Sequence, residues 1–175
     1  MALLPILTAP DPRLKQKSAP VTAFDAALRQ LTDDMLETMY VAPGIGLAAI
    51  QVGVARRVIV VDVAREGEPP APMRIVNPEI TWASDRLAPY EEGCLSVPEH
   101  YADVMRPDEV KLRYQDETGA VHEKHCTGLL AVCIQHEIDH LDGVLFVDHL
   151  SSLKRNMILK KLQKQKKMRD DAHVL

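Results

Sequence analysis

No apolar run in this 175-residue sequence approaches the roughly 18 residues that a membrane-spanning helix requires, so none is expected. Cysteine is scarce. The three thiols, Cys94, Cys126 and Cys133, cannot all pair and match no small disulfide framework, which points to a reducing cytoplasm. Positive charge is not in excess: the formal net charge of -4 removes any general case for binding DNA. The N-terminal stretch lacks a leading basic region and is broken by Pro5, so no secretion signal is expected. Repeats and low-complexity segments are also missing. With 46% apolar and 26% charged residues, the chain reads as one globular domain over residues 1–175.

What is present divides by periodicity. Phe24, Leu28, Leu31, Met35 and Met39 recur at helical spacing, with Thr22 as the expected N-cap and Pro43-Gly44 as the stop. The small-residue segment Gly44-Ile45-Gly46-Leu47-Ala48-Ala49-Ile50-Gln51 reads as a tight buried loop. A β-branched strand is expected over 58–63. A short one follows at 74–76, ended by Asn77-Pro78. Val110, Leu112 and Tyr114 alternate with charged residues and lead through Asp116–Gly119 to a return strand, which predicts an antiparallel hairpin. Residues 129–141 are apolar on almost every side apart from a few polar groups, as in a helix through a domain centre, and Gly143 ends it. Ser151 or Ser152 can cap a last helix running to about residue 169. The expected fold is α+β: short, mostly antiparallel strands around a central metal-binding helix, with one helix toward each end.

The chemistry concentrates in His136-Glu137-Ile138-Asp139-His140. Two histidines four residues apart stand one turn above each other, about 6 Å along the helix axis, so both rings can reach one cation. Glu137 is rotated about 100° from the first ligand, where it can face an open coordination position as a general base. Burying two histidines and a glutamate in an apolar helix is costly unless something compensates, and a divalent metal does so. A third ligand is needed, and Cys94 in Glu91-Glu92-Gly93-Cys94-Leu95-Ser96 is the candidate. Cys126 and Cys133 read, as far as ligation goes, as small buried hydrophobes. These donors indicate a borderline divalent transition metal and leave its identity open.

Three blocks, 44–51, 92–96 and 135–140, together resemble the signature motifs of the peptide deformylase family. The resemblance implies that Cys94, His136 and His140 hold the metal, with Glu137 activating a water on it. Ferrous iron is the family's usual metal, with zinc, nickel or cobalt able to replace it. The resemblance also places the amide of Gln51 and the backbone N–H of Leu95 at the oxyanion, and Gly46 in the catalytic group. A methionine pocket would be lined by Ile45, Gly46, Tyr90, Glu92, Gly93, Leu129, Val132, Cys133 and the His136 ring. Residues 129, 132, 133 and 136 fall on one helix face, a point independent of the family. Glu92 would be neutralised by Arg106. The sequence departs from the common bacterial pattern at Tyr90 and at His100-Tyr101, where an arginine is frequent.

The implied substrates are N-formyl-Met nascent peptides. The run of Lys154, Arg155, Lys160, Lys161, Lys164, Lys166, Lys167 and Arg169 resembles a ribosome-docking helix, and deleting residues after about 154 is the test the sequence suggests. Three other readings stay open on the residues alone: a zinc endopeptidase, a metal-stabilised binding protein without catalysis, and Cys94 as a covalent nucleophile paired with His136.

Overall fold

The computed structural model describes residues 2–173. Among these the chain forms three α-helices, α1 (Ala26–Val41), α2 (Gly128–Leu141) and α3 (Ser152–His173), and seven strands. Five strands make one antiparallel sheet in the order β1 (Gly46–Ala48), β2 (Val58–Val61), β3 (Met73–Ala83), β6 (Glu109–Gln115), β7 (Val121–Thr127). The remaining two, β4 (Leu87–Cys94) and β5 (Val97–Pro107), form a separate antiparallel hairpin.

The run Val58-Ile59-Val60-Val61 is apolar throughout because the sheet is covered on both faces there. Val58 and Val60 pack with Leu28, Met35 and Met39 of α1. Ile59 and Val61 point the other way, to Ala131, Ile134 and Leu141 of α2. A third apolar cluster joins Val97 and Val104 of β5 to Phe146 and Val147 and to Leu162 of α3. Helix α2 therefore lies between the main sheet and the β4–β5 hairpin, and the site is built where it meets the hairpin.

The expected α+β class, the central helix, the 110–121 hairpin and the terminal helices are observed. Four local expectations are corrected. The cap of α1 is Asp25, whose side chain accepts from the Leu28 N–H at 3.0 Å. Thr22 lies too far upstream, and Phe24 stays outside the helix and packs on the α1 cluster. Segment 44–51 is not a loop, since Gly46–Ala48 pairs with Ile59–Val61 as edge strand β1 and Ala49–Val52 forms a 3-10 turn. Strand β2 stops at Val61 rather than at 63.

Strand β3 does not end at Asn77-Pro78 but runs on to Ala83 through a register shift between Val76 and Glu79. Asn77 takes a positive φ of 50°, which asparagine tolerates, and proline is accommodated at a bulge. The Asn77 amide fixes the kink: its Oδ1 accepts from the Val21 N–H at 2.8 Å, and its Nδ2 donates to the Val21 carbonyl and to Gln115 Oε1.

Gly143 closes α2 with φ +77°, and a Cβ there would strike the Lys15 carbonyl. The Ser151 hydroxyl accepts from the Lys154 N–H at 3.3 Å, in keeping with its expected capping role, while α3 extends beyond residue 169.

Candidate metal centre

Cys94 is the last residue of β4, immediately before the Leu95-Ser96 turn. Pairing of β4 with β5 delivers its thiol to the face of α2 that carries His136 and His140. Cys94 Sγ lies 3.3 Å from His140 Nε2, and the two Nε2 atoms are 3.2 Å apart. All three donor atoms lie within 4.8 Å of one another. The helical spacing and the strand-end cysteine thus meet as the sequence predicts.

His136 is oriented from behind, because its Nδ1 donates to Glu92 Oε1 at 2.9 Å. That bond leaves Nε2 with its lone pair toward Cys94 and His140. Burial, then the nearby His136 and Arg106, hold His140 well below the usual imidazole range, so it is neutral and able to ligate. For His136 burial works against the charged form, but the Cys94 thiol and the Glu92 carboxylate outweigh it and push the ring well up. Surroundings that favour a proton there favour a divalent cation more, since sulfur and two ring nitrogens converge on one point. The residues fit a metal.

Glu137 is 4% exposed, and its Oε2 has no protein partner. Its Oε1 is 3.9 Å from His136 Nε2. Burial, opposed by His136 and reinforced by Glu92 and Asp139, pushes its carboxyl up to about 7. Gln51 Nε2 donates to Ser96 Oγ at 3.0 Å and to Cys94 Sγ at 3.6 Å, while its Oε1 accepts from the Ala48 N–H. The 3-10 turn after β1 aims this amide, so its donor side faces the thiol.

A cleft of about 870 Å³ opens beside these groups. It is lined by Ile45, Gly46, Gln51, Tyr90, Glu92, Gly93, Cys94, Leu95, Leu129, Val132, Cys133, His136 and Glu137, which are all the expected catalytic, metal and pocket residues except His140, fully buried behind them. Gly46 has to be small: a Cβ would stand 2.8 Å from both Cys133 Sγ and Glu137 Oε1. Gly93 has the same constraint from Tyr101, whose ring edge would be 2.5 Å from an added Cβ. Burial, with Glu137 and Glu92 close by, raises the Cys133 thiol well above its usual range, consistent with a buried hydrophobe rather than a ligand.

Arg106 is 5% exposed and joins the hairpin to α2. Its Nε and Nη2 donate to the two oxygens of Glu92 at 2.6 and 2.9 Å, and its Nη1 to Asp139 Oδ2 at 2.9 Å. Burial raises the Glu92 carboxyl, but hydrogen bonds from His136 and Arg106 bring it below its ordinary value, so it is an ionised partner. The expected pairing of Glu92 with Arg106 is present. Sequence reasoning missed Phe146, whose ring stacks on His136 at 6.2 Å, and His149, which donates to Asp139. It also missed Pro43 and Gly44 as cleft residues, reading them as the stop of α1, whereas His100 and Tyr101, marked in the sequence as a departure from the bacterial pattern, do line the cleft. Only the position of Asp139 between the two histidines hinted at a further link.

The polypeptide deformylase family model matches residues 3–156. The chain belongs to the polypeptide deformylase family. A peptide deformylase of Phenylobacterium zucineum is 64% identical over 167 residues, covering 95% of this chain and 99% of its own. One from Zymomonas mobilis is 55% identical over 177 residues, covering 99% and 100%. Among solved structures, the peptide deformylase of Ehrlichia chaffeensis superposes with a TM-score of 0.91 at 39% identity, over 96% of this chain and 99% of that one. The same enzyme crystallised with actinonin gives 0.90 at 41%, over 94% and 98%. As a deformylase, the chain is a metal-dependent amide hydrolase that acts on N-formylated peptides. Among the described residues no helix is long and apolar enough to cross a membrane.

Proposed function

We propose that this deformylase works in the cytoplasm on N-formyl-Met nascent polypeptides, that residues 1–175 act as one catalytic domain, and that Cys94, His136 and His140 would hold its metal. The convergence of these three donors beside the buried carboxyl of Glu137 carries the reading. Ferrous iron is the metal we assign in the cell, with zinc, nickel or cobalt as substitutes; one thiolate and two imidazoles suit all four. When bound, the metal supplies Lewis acidity, polarising the formyl carbonyl and making water nucleophilic near neutral pH.

The chain's own groups do the rest. Glu137 takes the proton of the attacking water and returns it to the departing amine, a double duty that its shielded position and free Oε2 permit. The Gln51 amide and the Leu95 N–H receive the charge that develops on the formyl oxygen. The methionine side chain enters between Ile45, Tyr90, Leu129, Val132 and Cys133, with the His136 ring as one wall. Gly46 and Gly93 let the peptide backbone approach. Glu92, ionised but matched by Arg106, does not repel it.

The decisive assay incubates nickel-loaded protein with formyl-Met tripeptide and with its unformylated counterpart. Formate is expected from the first, with both peptide bonds intact. Internal cleavage of either peptide would instead identify an endopeptidase, and saturable binding without formate would identify a binding protein.

The basic face of α3 is our candidate for ribosome docking. Deletion after residue 154 is a poor test, because Leu162 is 1% exposed in the core and Arg155 pairs with Asp148. Reversing the exposed Lys160, Lys164 and Lys167 to glutamate spares those contacts. Cosedimentation with ribosomes at low salt should weaken while turnover of a short formyl-peptide stays unchanged. Undiminished cosedimentation would remove docking from the proposal.

A further inference from the structure

The charge pairing behind His136 does not end at Arg106. Asp139 Oδ2 accepts from Arg106 Nη1 at 2.9 Å and also from His149 Nε2 at 2.8 Å. A continuous chain of hydrogen bonds therefore runs from His149, through Asp139, Arg106 and Glu92, to Nδ1 of His136. Its inner members are buried, Arg106 and Glu92 at 5% and 4% exposure, whereas the His149 side chain is 38% exposed at the protein surface. His149 is the last residue of the 3-10 turn Phe146–His149, and the first residue of that turn stacks on the His136 ring with an interplanar angle of 25°. One short turn thus touches the same ring twice, directly through Phe146 and at a distance through His149.

The turn is itself pinned. Asp148 accepts from Lys15 Nζ, from the Leu145 N–H and from Arg155 Nε of α3. Burial opposes the charge of Asp148, but these donors hold its carboxyl below the ordinary range. His149 is therefore presented from a fixed backbone.

We propose that His149 is a positioning residue for the metal centre, acting through Asp139, Arg106 and Glu92 to fix the ring of His136. The physical reason is a shortage of donors. Arg106 carries one positive charge against two carboxylates, Glu92 and Asp139. The His149 N–H supplies Asp139 with a second donor, so the guanidinium keeps its two-pronged grip on Glu92. Without it Asp139 draws Arg106 toward itself, Glu92 is held by fewer bonds, and the orientation of His136 loosens. Removal of outer partners of metal-bound histidines typically lowers metal affinity or activity 10- to 100-fold, and a partner this far out belongs at the lower end.

This inference rests on the metal reading of Cys94, His136 and His140, and the test separates the two. Cobalt(II) is loaded into the full chain and into His149→Phe, which keeps a ring but removes the donor, and His149→Gln, which keeps an N–H. The wild-type protein should show the visible bands of cobalt bound to sulfur and nitrogen; their absence would overturn both readings. In His149→Phe the bands should shift and chelator-driven cobalt release should quicken on the order of tenfold, with His149→Gln close to wild type. Combining His149→Phe with Asp139→Asn should restore most of what His149→Phe loses, because a neutral asparagine no longer draws Arg106 away from Glu92. Wild-type bands and release in His149→Phe would sink the role of His149 and leave the metal site standing. An equal effect in both His149 variants would reduce it to a packing residue and likewise overturn the proposal.

Discussion

Replacing Glu137 by glutamine should lower kcat by on the order of 10²- to 10⁴-fold, the usual contribution of a positioned acid–base group, and leave metal binding intact. The substitution is isosteric at a place where size matters, because Gly46 leaves no slack beside Glu137 Oε1. Glutamine can neither take nor return a proton. Loss of an interaction used only in the transition state should appear in kcat, with KM nearly unchanged. Metal content measured by elemental analysis should equal that of the parent. Retention of activity within threefold, at equal metal content, would remove Glu137 from the reaction.

The same variant has a stability consequence in the chelated protein. Burial raises the Glu137 carboxyl from its ordinary 4.5 up to about 7, so folding favours its protonated form. The contribution is complete below about 4.5 and is lost as pH rises to about 7. Glutamine stays neutral throughout. The metal-free parent should therefore lose more stability than the metal-free variant over that window, as read from urea midpoints.

Much of this centre is legible in the sequence because helix α2 imposes it. Spacing alone puts His136 and His140 on one side and Leu129, Val132 and Cys133 on the same face as His136. Gly93 beside Cys94 signals a close approach, which the ring of Tyr101 makes. The hairpin that carries Cys94 is much less visible. Strand β5 alternates exposed with less exposed positions from Glu99 to Arg106, but its residue types do not follow, since Tyr101 and Met105 are exposed and Arg106 is buried. Pro89 and Pro98 interrupt the two strands, so no apolar alternation marks them. Asn77-Pro78 reads as a stop because proline normally ends a central strand, and nothing local reveals that the Asn77 side chain bonds across to Val21 and Gln115. The link from Asp139 to His149 is invisible for a similar reason. It depends on the turn after Gly143 bringing residues ten apart to 2.8 Å, a distance no periodicity encodes.

Arg106→Ala is the substitution that should cost the fold most. It strips two carboxylates of their shared cation and leaves Glu92 buried with only the His136 N–H as a side-chain donor. Breaking a buried pair in this way typically costs about 3–5 kcal/mol. At roughly 2–4 °C per kcal/mol for a chain of this size, Tm should fall by roughly 6–20 °C. Lysine should rescue little, since a point charge cannot bond both oxygens of Glu92 and also reach Asp139. Combining Arg106→Met with Glu92→Gln removes both charges together and should recover part of the loss, though not all, because Asp139 still lacks its inner donor. Urea unfolding of the metal-free and nickel-loaded forms decides it. A single-variant loss under about 1 kcal/mol would mean that the ion pair does not hold β5 against α2. A loss confined to the metal-loaded form would instead mean that Arg106 acts on the fold only through the orientation of His136.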